Sequence, residues 1–123
     1  MIRGIRGAIC VDKDTPSIIG EASLELIDTI MKRNRLSPEK VSALFITMTE
    51  DLSSVFPAEM IRKQERYRYV PIMCSKEIPV PGSQLRCIRM LTLAEVGDHA
   101  QNDIRHVYLG EAHSLRPDLE SGK

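Results

Sequence analysis

Hydrophobic residues recur at helical spacing between residues 19 and 31, and charged residues occupy positions on the opposite side. This pattern predicts an amphipathic helix of about 18 residues that packs one face against a core. Thr15 and Pro16 precede it, with the residue types preferred at an N-cap and at the first helical position. Basic residues stand near the end of the pattern, where the helix dipole favours positive charge. The helix is therefore expected to begin at Pro16 and to end near Asn34.

Five shorter segments have the apolar composition and alternation of strands. They are residues 2–11, 43–48, 69–73, 85–94 and 104–109. A second, short helix is expected to open at Pro57 and to run to Lys63. These elements predict an α/β fold of the mixed α+β kind, with a five-stranded mixed sheet, one long helix and one short helix. We expect a single domain over residues 1–123 whose tail, residues 116–123, is loosely held.

The number of helices is small for a sheet of this size. One long helix covers little more than one face of five strands, whereas the strands are apolar on both faces. Apolar surface that remains uncovered in one chain is commonly buried against another copy. We therefore expect the chain to form an oligomer.

The overall charge makes nucleic acid and membranes poor partners. The formal net charge is zero, so no electrostatic field attracts the chain to polyanions. The two phenylalanines and three tyrosines are scattered and do not suggest a surface for stacking bases. No run of residues approaches membrane-spanning length, and arginines and glycines interrupt the N-terminal segment where a signal peptide would be apolar. We expect a cytoplasmic protein that binds neither nucleic acid nor membrane.

The cysteines and histidines suggest neither a disulfide framework nor a metal site. Cys10, Cys74 and Cys87 are odd in number and lack metal-binding or redox spacing, which fits a reducing compartment. The three histidines recur every seven residues, but in a region of strand and loop where that spacing gives no metal-binding geometry. The chain also lacks the glycine-rich phosphate loop and the common nucleophile motifs. We expect reduced cysteines, no metal and no covalent catalytic step.

An arginine in the apolar middle of a strand is the clearest sign of a functional site. Alternation places Arg89 on one face with Cys87, Leu91 and Leu93, and neither face of this strand reads as solvent-exposed. Arginine does not lose its charge in proteins, so an anion is expected to meet it. That anion is either a ligand or the carboxylate of Glu77 in an internal ion pair, and the pattern alone favours neither.

A second arginine, Arg6, lies on a mainly apolar face of the first predicted strand. Gly4 and Gly7 beside it indicate either close approach by a ligand or backbone, or a bulge. Phe56 and Arg62 flank the short helix and can face a site from there. The pattern alone favours a simpler interpretation, in which Phe56 is a hydrophobic staple and Arg62 is solvated.

Six motifs are distributed from the second residue almost to the end of the chain. They are I-R-G-I-R-G-A at residues 2–8, T-E-D-L-S-S-V-F-P-A at 49–58, V-P-I-M-C-S-K-E at 70–77, C-I-R at 87–89, I-R-H-V-Y-L at 104–109 and L-R-P-D-L at 115–119. In this order and spacing they resemble the small trimeric chorismate mutases of the α/β pseudo-barrel type. Each motif is weak by itself, and the set is specific.

The resemblance implies an isomerase that rearranges chorismate to prephenate in the biosynthesis of phenylalanine and tyrosine. It also implies a homotrimer that forms a pseudo-α/β-barrel, with each active site in a cleft between two subunits. The [3,3] rearrangement breaks an ether bond and forms a carbon–carbon bond within one molecule, so it requires no nucleophile and no cofactor. Conformer selection and fixed charges can supply the catalysis.

The resemblance also implies a role for each candidate residue. Arg89 would face the breaking ether oxygen and also reach a carboxylate, and Glu77 would accept a hydrogen bond from the ring hydroxyl. The side-chain carboxylate would be bound by Arg6 and Tyr108. Contacts near the ring hydroxyl would come from Cys74 and from the backbone of Met73. The neighbouring subunit would close the cleft with Phe56, Arg62, Leu115 and Arg116.

The chain departs from the family pattern at three places, and two other functions compete with the mutase. Met73 stands where a small polar residue can occur, which fits a position that contributes its backbone. Glu59 stands where some members have lysine, so it is assigned no substrate contact, and the loop at 95–101 lacks an expected proline. A deaminase of small imines shares the trimeric architecture, but the pair of Glu77 and Arg89 suits a hydroxyl and an ether better than the activation of water. A noncatalytic trimeric sensor of a carboxylated metabolite would bind its ligand without turnover.

Overall fold

A five-stranded mixed sheet with two helices forms in residues 1–110, the part of the chain that the computed structural model describes. The predicted fold class is confirmed. The strands are β1 (Ile2–Cys10), β2 (Val41–Met48), β3 (Ile72–Lys76), β4 (Cys87–Glu95) and β5 (Val107–Leu109). The helices are α1 (Pro16–Arg33) and α2 (Pro57–Lys63), with short 3-10 turns at Pro38–Lys40, Glu65–Tyr67 and Gln101–Asp103.

The strands are ordered β3-β2-β4-β1-β5 across the sheet. The central strand β4 runs antiparallel to both β1 and β2, whereas the outer strands β5 and β3 run parallel to their neighbours. This register places Ala8 of β1 opposite both Arg89 and Tyr108. It also places Thr47 of β2 opposite Arg89. Residues far apart in the sequence thus meet on one face of the sheet.

Helix α1 covers the other face and builds the core there. The predicted cap is confirmed, since the Thr15 hydroxyl accepts a hydrogen bond from the Ile18 amide at 3.2 Å. Leu26 and Ile30 are fully buried against the strands. Gly7 permits this close approach, because a Cβ at that position would lie 2.7 Å from Ile30 Cδ1. The glycine beside Arg6 therefore serves helix packing.

The face opposite α1 has no helix over it within the described residues. Phe45, Met73 and Leu91 are 38%, 62% and 41% exposed there. Arg89 lies on this face with 51% of its side chain exposed, so the expectation that neither face of its strand contacts solvent is wrong for the single chain. The uncovered apolar surface is the feature that led us to expect an oligomer.

All five strands differ by one or more residues from their predicted bounds, and local turns displace or shorten three of them. The strand expected at 69–73 is Ile72–Lys76, since the turn at Glu65–Tyr67 precedes it. The strand expected from Leu85 begins at Cys87, because Arg86 has a φ of 48° and interrupts the extended backbone. The last strand shortens from 104–109 to Val107–Leu109, after the turn at Gln101–Asp103.

Cys10 and Cys87 form a disulfide, so the expectation of reduced cysteines is wrong for this pair. They are 77 residues apart in sequence but face each other across β1 and β4, with their Cα atoms 4.2 Å apart. Linear spacing does not reveal a pair that strand register creates. Cys74 is free.

A buried tyrosine joins α1 to the turn before β3. Tyr67 is 1% exposed, and its hydroxyl donates a hydrogen bond to Asp28, which also pairs with Arg66. Burial, together with the hydrogen bond to Asp28, raises the pKa of Tyr67 far above its usual range. This contact fixes the turn at Glu65–Tyr67, which leads into β3, the strand that ends just before Glu77.

Two further findings concern the limits of the described region. No helix within residues 1–110 is long and apolar enough to cross a membrane. Leu115, Arg116 and the tail predicted at 116–123 lie outside the described residues.

Candidate active site

A concavity of about 360 Å³ opens on the uncovered face of the sheet. Four of the predicted site residues line it together: Arg6, Glu77, Arg89 and Tyr108. The remaining lining is mostly apolar and comes from Gly7, Phe45, Thr47, Met90 and Leu91. An apolar cleft of this size with a few convergent polar groups is typical of a small-molecule site.

The carboxylate of Glu77 is held from two sides. Its Oε2 accepts a hydrogen bond from the Thr47 hydroxyl at 2.7 Å and lies 3.3 Å from Arg89 Nη1. The Glu77 amide donates to the Met48 carbonyl at 2.8 Å, which continues the pairing of β2 with β3. The sequence left two anions open for Arg89, a ligand or Glu77, and the ion pair with Glu77 is present. About a fifth of the Glu77 side chain, 22%, remains exposed.

Strand β1 lies between the strands that carry Arg89 and Tyr108. Ala8 is paired with Arg89 on one side and with Tyr108 on the other, and it is fully buried against Tyr108. Arg6 is two residues earlier on the same face, and its side chain is exposed. Its amide donates to His106 Nδ1 at 2.9 Å, beside the point where β5 begins to pair with β1. Two guanidinium groups and one carboxylate therefore give the concavity a positive balance suited to an anionic ligand.

The T-E-D motif fixes the start of β4. Both carboxylate oxygens of Asp51 accept from the Arg86 amide, at 3.1 and 3.0 Å, while the Thr49 hydroxyl accepts from the Cys87 amide at 3.0 Å. Arg86 Nε donates to the Val11 carbonyl at 3.0 Å, which joins this turn to the end of β1. These hydrogen bonds fix the backbone at Arg86 and Cys87, just before Arg89.

The other predicted contacts do not line this concavity. Phe56 and Cys74 line a separate cavity of about 640 Å³ beside it, formed mainly by residues 48–57 and 74–76. The Cys74 side chain packs toward the helix-covered core, whereas Met73 lies on the open face. Phe56 is 72% exposed, so the staple interpretation is wrong, and Arg62 is exposed on α2. Within one chain, the structure brings together only part of the predicted set.

Sequence reasoning missed Thr47 and His106 as neighbours of the charged residues. A usable signal existed for Thr47, because alternation along β2 puts it on the same face as Phe45. The strand order that places it beside Arg89 was not available from the sequence. His106 immediately precedes β5 and stands inside a quoted motif, but its contact with Arg6 depends on a parallel pairing of distant strands.

Comparison with known proteins decides the family. The family model described as chorismate mutase type I matches residues 2–119. The chain belongs to the type I chorismate mutases. Chorismate mutase AroH of Thermus thermophilus is 49% identical over the full length of both chains. Chorismate mutase AroH of Bacillus subtilis (strain 168) is 41% identical, over all of this chain and 96% of that one.

A solved structure agrees with these relatives. A chorismate mutase from Clostridium thermocellum superposes with a TM-score of 0.86 at 34% identity, covering 92% of this chain and 99% of the other. The predicted function, chorismate mutase in aromatic amino acid biosynthesis, is confirmed, and the enzyme is an isomerase. These findings favour the mutase over the imine deaminase and the noncatalytic sensor.

Proposed function

We propose that the rearrangement of chorismate to prephenate takes place in the concavity of Arg6, Glu77, Arg89 and Tyr108, completed by a second subunit of a homotrimer. The observation that carries the proposal is the convergence of two arginines, a carboxylate and a tyrosine on an uncovered face of the sheet. Chorismate carries two carboxylates, a ring hydroxyl and the ether that breaks, so each of these side chains has a chemical counterpart.

Arg89 and Glu77 are the proposed catalytic residues. Negative charge develops on the ether oxygen as the carbon–oxygen bond breaks, and a guanidinium N–H of Arg89 stabilises it. A second N–H of Arg89 binds a substrate carboxylate. Glu77 accepts the ring hydroxyl and lies near the positive charge that develops on the ring fragment. Arg6 and Tyr108 hold the side-chain carboxylate, which favours the compact conformer whose reacting carbons are close together.

A small number of such contacts is sufficient. An acceleration of a million-fold corresponds to about 8 kcal/mol of barrier lowering. A hydrogen bond to a charged group is worth roughly 1.5 to 3 kcal/mol, so three to five preorganised contacts account for it. The reaction transfers no proton to the protein and needs neither metal nor cofactor, so we expect full activity in the presence of a chelator.

The surface around the site supports the proposal of an oligomer, which the family resemblance makes a trimer. Phe45, Met73 and Leu91 leave apolar area exposed on the site's own face of the sheet, and the concavity is open to solvent on that side. A second copy that covers this face would bury the apolar area and enclose the substrate. The proposed contributors from that copy are Phe56, Arg62, Leu115 and Arg116, and Cys74 and Met73 are proposed substrate contacts near the ring hydroxyl.

Mixing two defective variants tests whether the site is shared. Arg89→Ala and Arg62→Ala are each expected to lose most of their activity. When they are co-expressed at equal levels, random trimers regain an intact site wherever the subunit that supplies Arg89 meets one that supplies Arg62. Recovery of about one quarter of wild-type activity is expected.

The controls define what would contradict this arrangement. Each variant alone should have three times the 13.9 kDa chain mass in analytical ultracentrifugation. Mixed trimers without recovered activity would mean that both residues act in the same subunit. A monomeric wild-type enzyme with full activity would remove the shared cleft altogether.

A cytoplasmic location is also proposed, on the ground that this family carries out amino acid biosynthesis. Cys10 and Cys87 form a disulfide, and disulfides are uncommon in proteins of reducing compartments. Alkylating the thiols before cell lysis and then counting modified cysteines by mass spectrometry tests whether this bond exists in the compartment that holds the protein. Two blocked thiols at Cys10 and Cys87 in intact cells would show that the bond forms only after extraction.

A further inference from the structure

One oxygen of the Glu77 carboxylate contacts two side chains, and the other has no partner within residues 1–110. Oε2 accepts a hydrogen bond from the Thr47 hydroxyl at 2.7 Å and forms an ion pair with Arg89 Nη1 at 3.3 Å. We propose that Thr47 is a positioning residue of the active site. It holds Oε2 so that Oε1 is presented to the substrate hydroxyl, and it keeps the ion pair between Glu77 and Arg89 from closing onto both oxygens. This inference rests on the proposed catalytic role of Glu77.

Thr47 is well placed for this task because its backbone is fixed on two sides. It lies in β2 and is paired with Arg89 of β4 on one side and with Ser75 of β3 on the other. Threonine is branched at Cβ and has few χ1 conformations available in a strand. The hydroxyl therefore occupies a defined point between Arg89 on β4 and Glu77, which directly follows β3.

The distance between Arg89 and Glu77 shows why the position of the Thr47 hydroxyl matters for the reaction. At 3.3 Å, the contact of Arg89 with Oε2 is longer than a good charge-assisted hydrogen bond. A bidentate pair would occupy two of the five N–H donors of the guanidinium and both carboxylate oxygens. With Thr47 on Oε2, Arg89 keeps donors for the ether oxygen, and Glu77 keeps an acceptor for the ring hydroxyl.

Two substitutions separate the hydroxyl from the shape of the side chain. Thr47→Val removes the hydroxyl and preserves the branched shape, whereas Thr47→Ser keeps the hydroxyl. We expect Thr47→Val to lower kcat by about tenfold or more, the loss typical for a hydrogen bond to a charged group, with a smaller change in KM. Thr47→Ser should recover most of that loss. If the valine variant does not fold, Thr47→Ala makes the same comparison.

Thr92 offers a matched control on the opposite face of the sheet. It is also a threonine in a central strand, but it is fully buried and its hydroxyl has no partner within the described residues. Thr92→Val makes the same chemical change away from the concavity, and it should leave kcat and KM unchanged. A loss of kcat in Thr92→Val equal to that in Thr47→Val would overturn the inference, because the effect would then be one of general strand packing.

Repeating the substitution in a Glu77→Gln background tests whether Thr47 acts through Glu77. Non-additivity is expected, with Thr47→Val costing little when the carboxylate is already absent. The same tenfold loss in both backgrounds, or wild-type kcat in Thr47→Val, would overturn the positioning role. Full activity in Glu77→Gln alone would instead refute the proposed catalytic function of Glu77, so the two failures can be told apart.

Discussion

Replacing Arg89 by alanine should separate catalysis from folding. The Arg89 side chain is 51% exposed, and its ion pair with Glu77 is 3.3 Å long. Exposed pairs of this kind contribute about 1 kcal/mol or less to stability. After the substitution Glu77 still accepts from Thr47 and still has some solvent contact. We therefore expect the free energy of unfolding to fall by less than about 1 kcal/mol.

The expected effect on the reaction is much larger. In the proposed mechanism Arg89 donates to the ether oxygen and to one substrate carboxylate in the transition state. Two charge-assisted hydrogen bonds at roughly 1.5 to 3 kcal/mol each are worth about 3 to 6 kcal/mol. Since each 1.36 kcal/mol is a factor of ten in rate, kcat/KM should fall by about 10²- to 10⁴-fold.

The assay follows chorismate consumption and prephenate formation by proton NMR, with urea unfolding measured on the same preparations. Arg66→Ala is a suitable control, because it removes another partly exposed ion pair, with Asp28, away from the concavity. That variant should retain wild-type kcat/KM. If Arg89→Ala instead loses 3 kcal/mol or more of stability while its folded fraction stays active, Arg89 is a structural ion-pair residue and the catalytic assignment is wrong.

Three further predictions concern the body of the protein. Gly7→Ala should lower the free energy of unfolding by about 1–3 kcal/mol, because the added Cβ overpacks the interface with α1; urea denaturation measures this. Counting thiols in denaturant should give one reactive cysteine before reduction and three after it. Reduction should destabilise the fold by about 2–4 kcal/mol, and an unchanged Tm would contradict this. The pKa of Tyr67 is raised on folding, so the unfolded chain releases this proton first, and stability should fall as pH rises above about 10. A plot of Tm against pH should lose that slope in Tyr67→Phe.

Local signals were sufficient to predict most elements of the fold. The helix from Pro16 was predicted from its cap and its period, and its bounds are confirmed at Pro16–Arg33. The short helix at Pro57–Lys63 is also confirmed. Strand positions were predicted less precisely, because the turns that displace them depend on contacts such as that of Tyr67 with Asp28 on α1.

The candidate site was predictable in its residues but not in its contacts. Arg89 was identified by a conflict between its charge and its apolar surroundings, a signal that needs only alternation along one strand. Thr47 carries no such conflict, since a threonine is ordinary in a strand. Its contact with Glu77 and the disulfide of Cys10 with Cys87 both arise from register between distant strands. Register is a property of the assembled sheet, and one sequence does not contain it.

The two faces of the sheet explain why activity and stability should respond to different substitutions. Gly7 and Ala8 are neighbours in β1 and both are small, but for different physical reasons. Gly7 faces α1, where any side chain would collide with Ile30, whereas Ala8 lies on the other face, paired with Arg89 and buried against Tyr108. A larger residue at the first position forces the helix away and lowers stability. A larger residue at the second is expected to displace Tyr108 from the concavity and lower activity, while α1 and its core on the other face stay as they are.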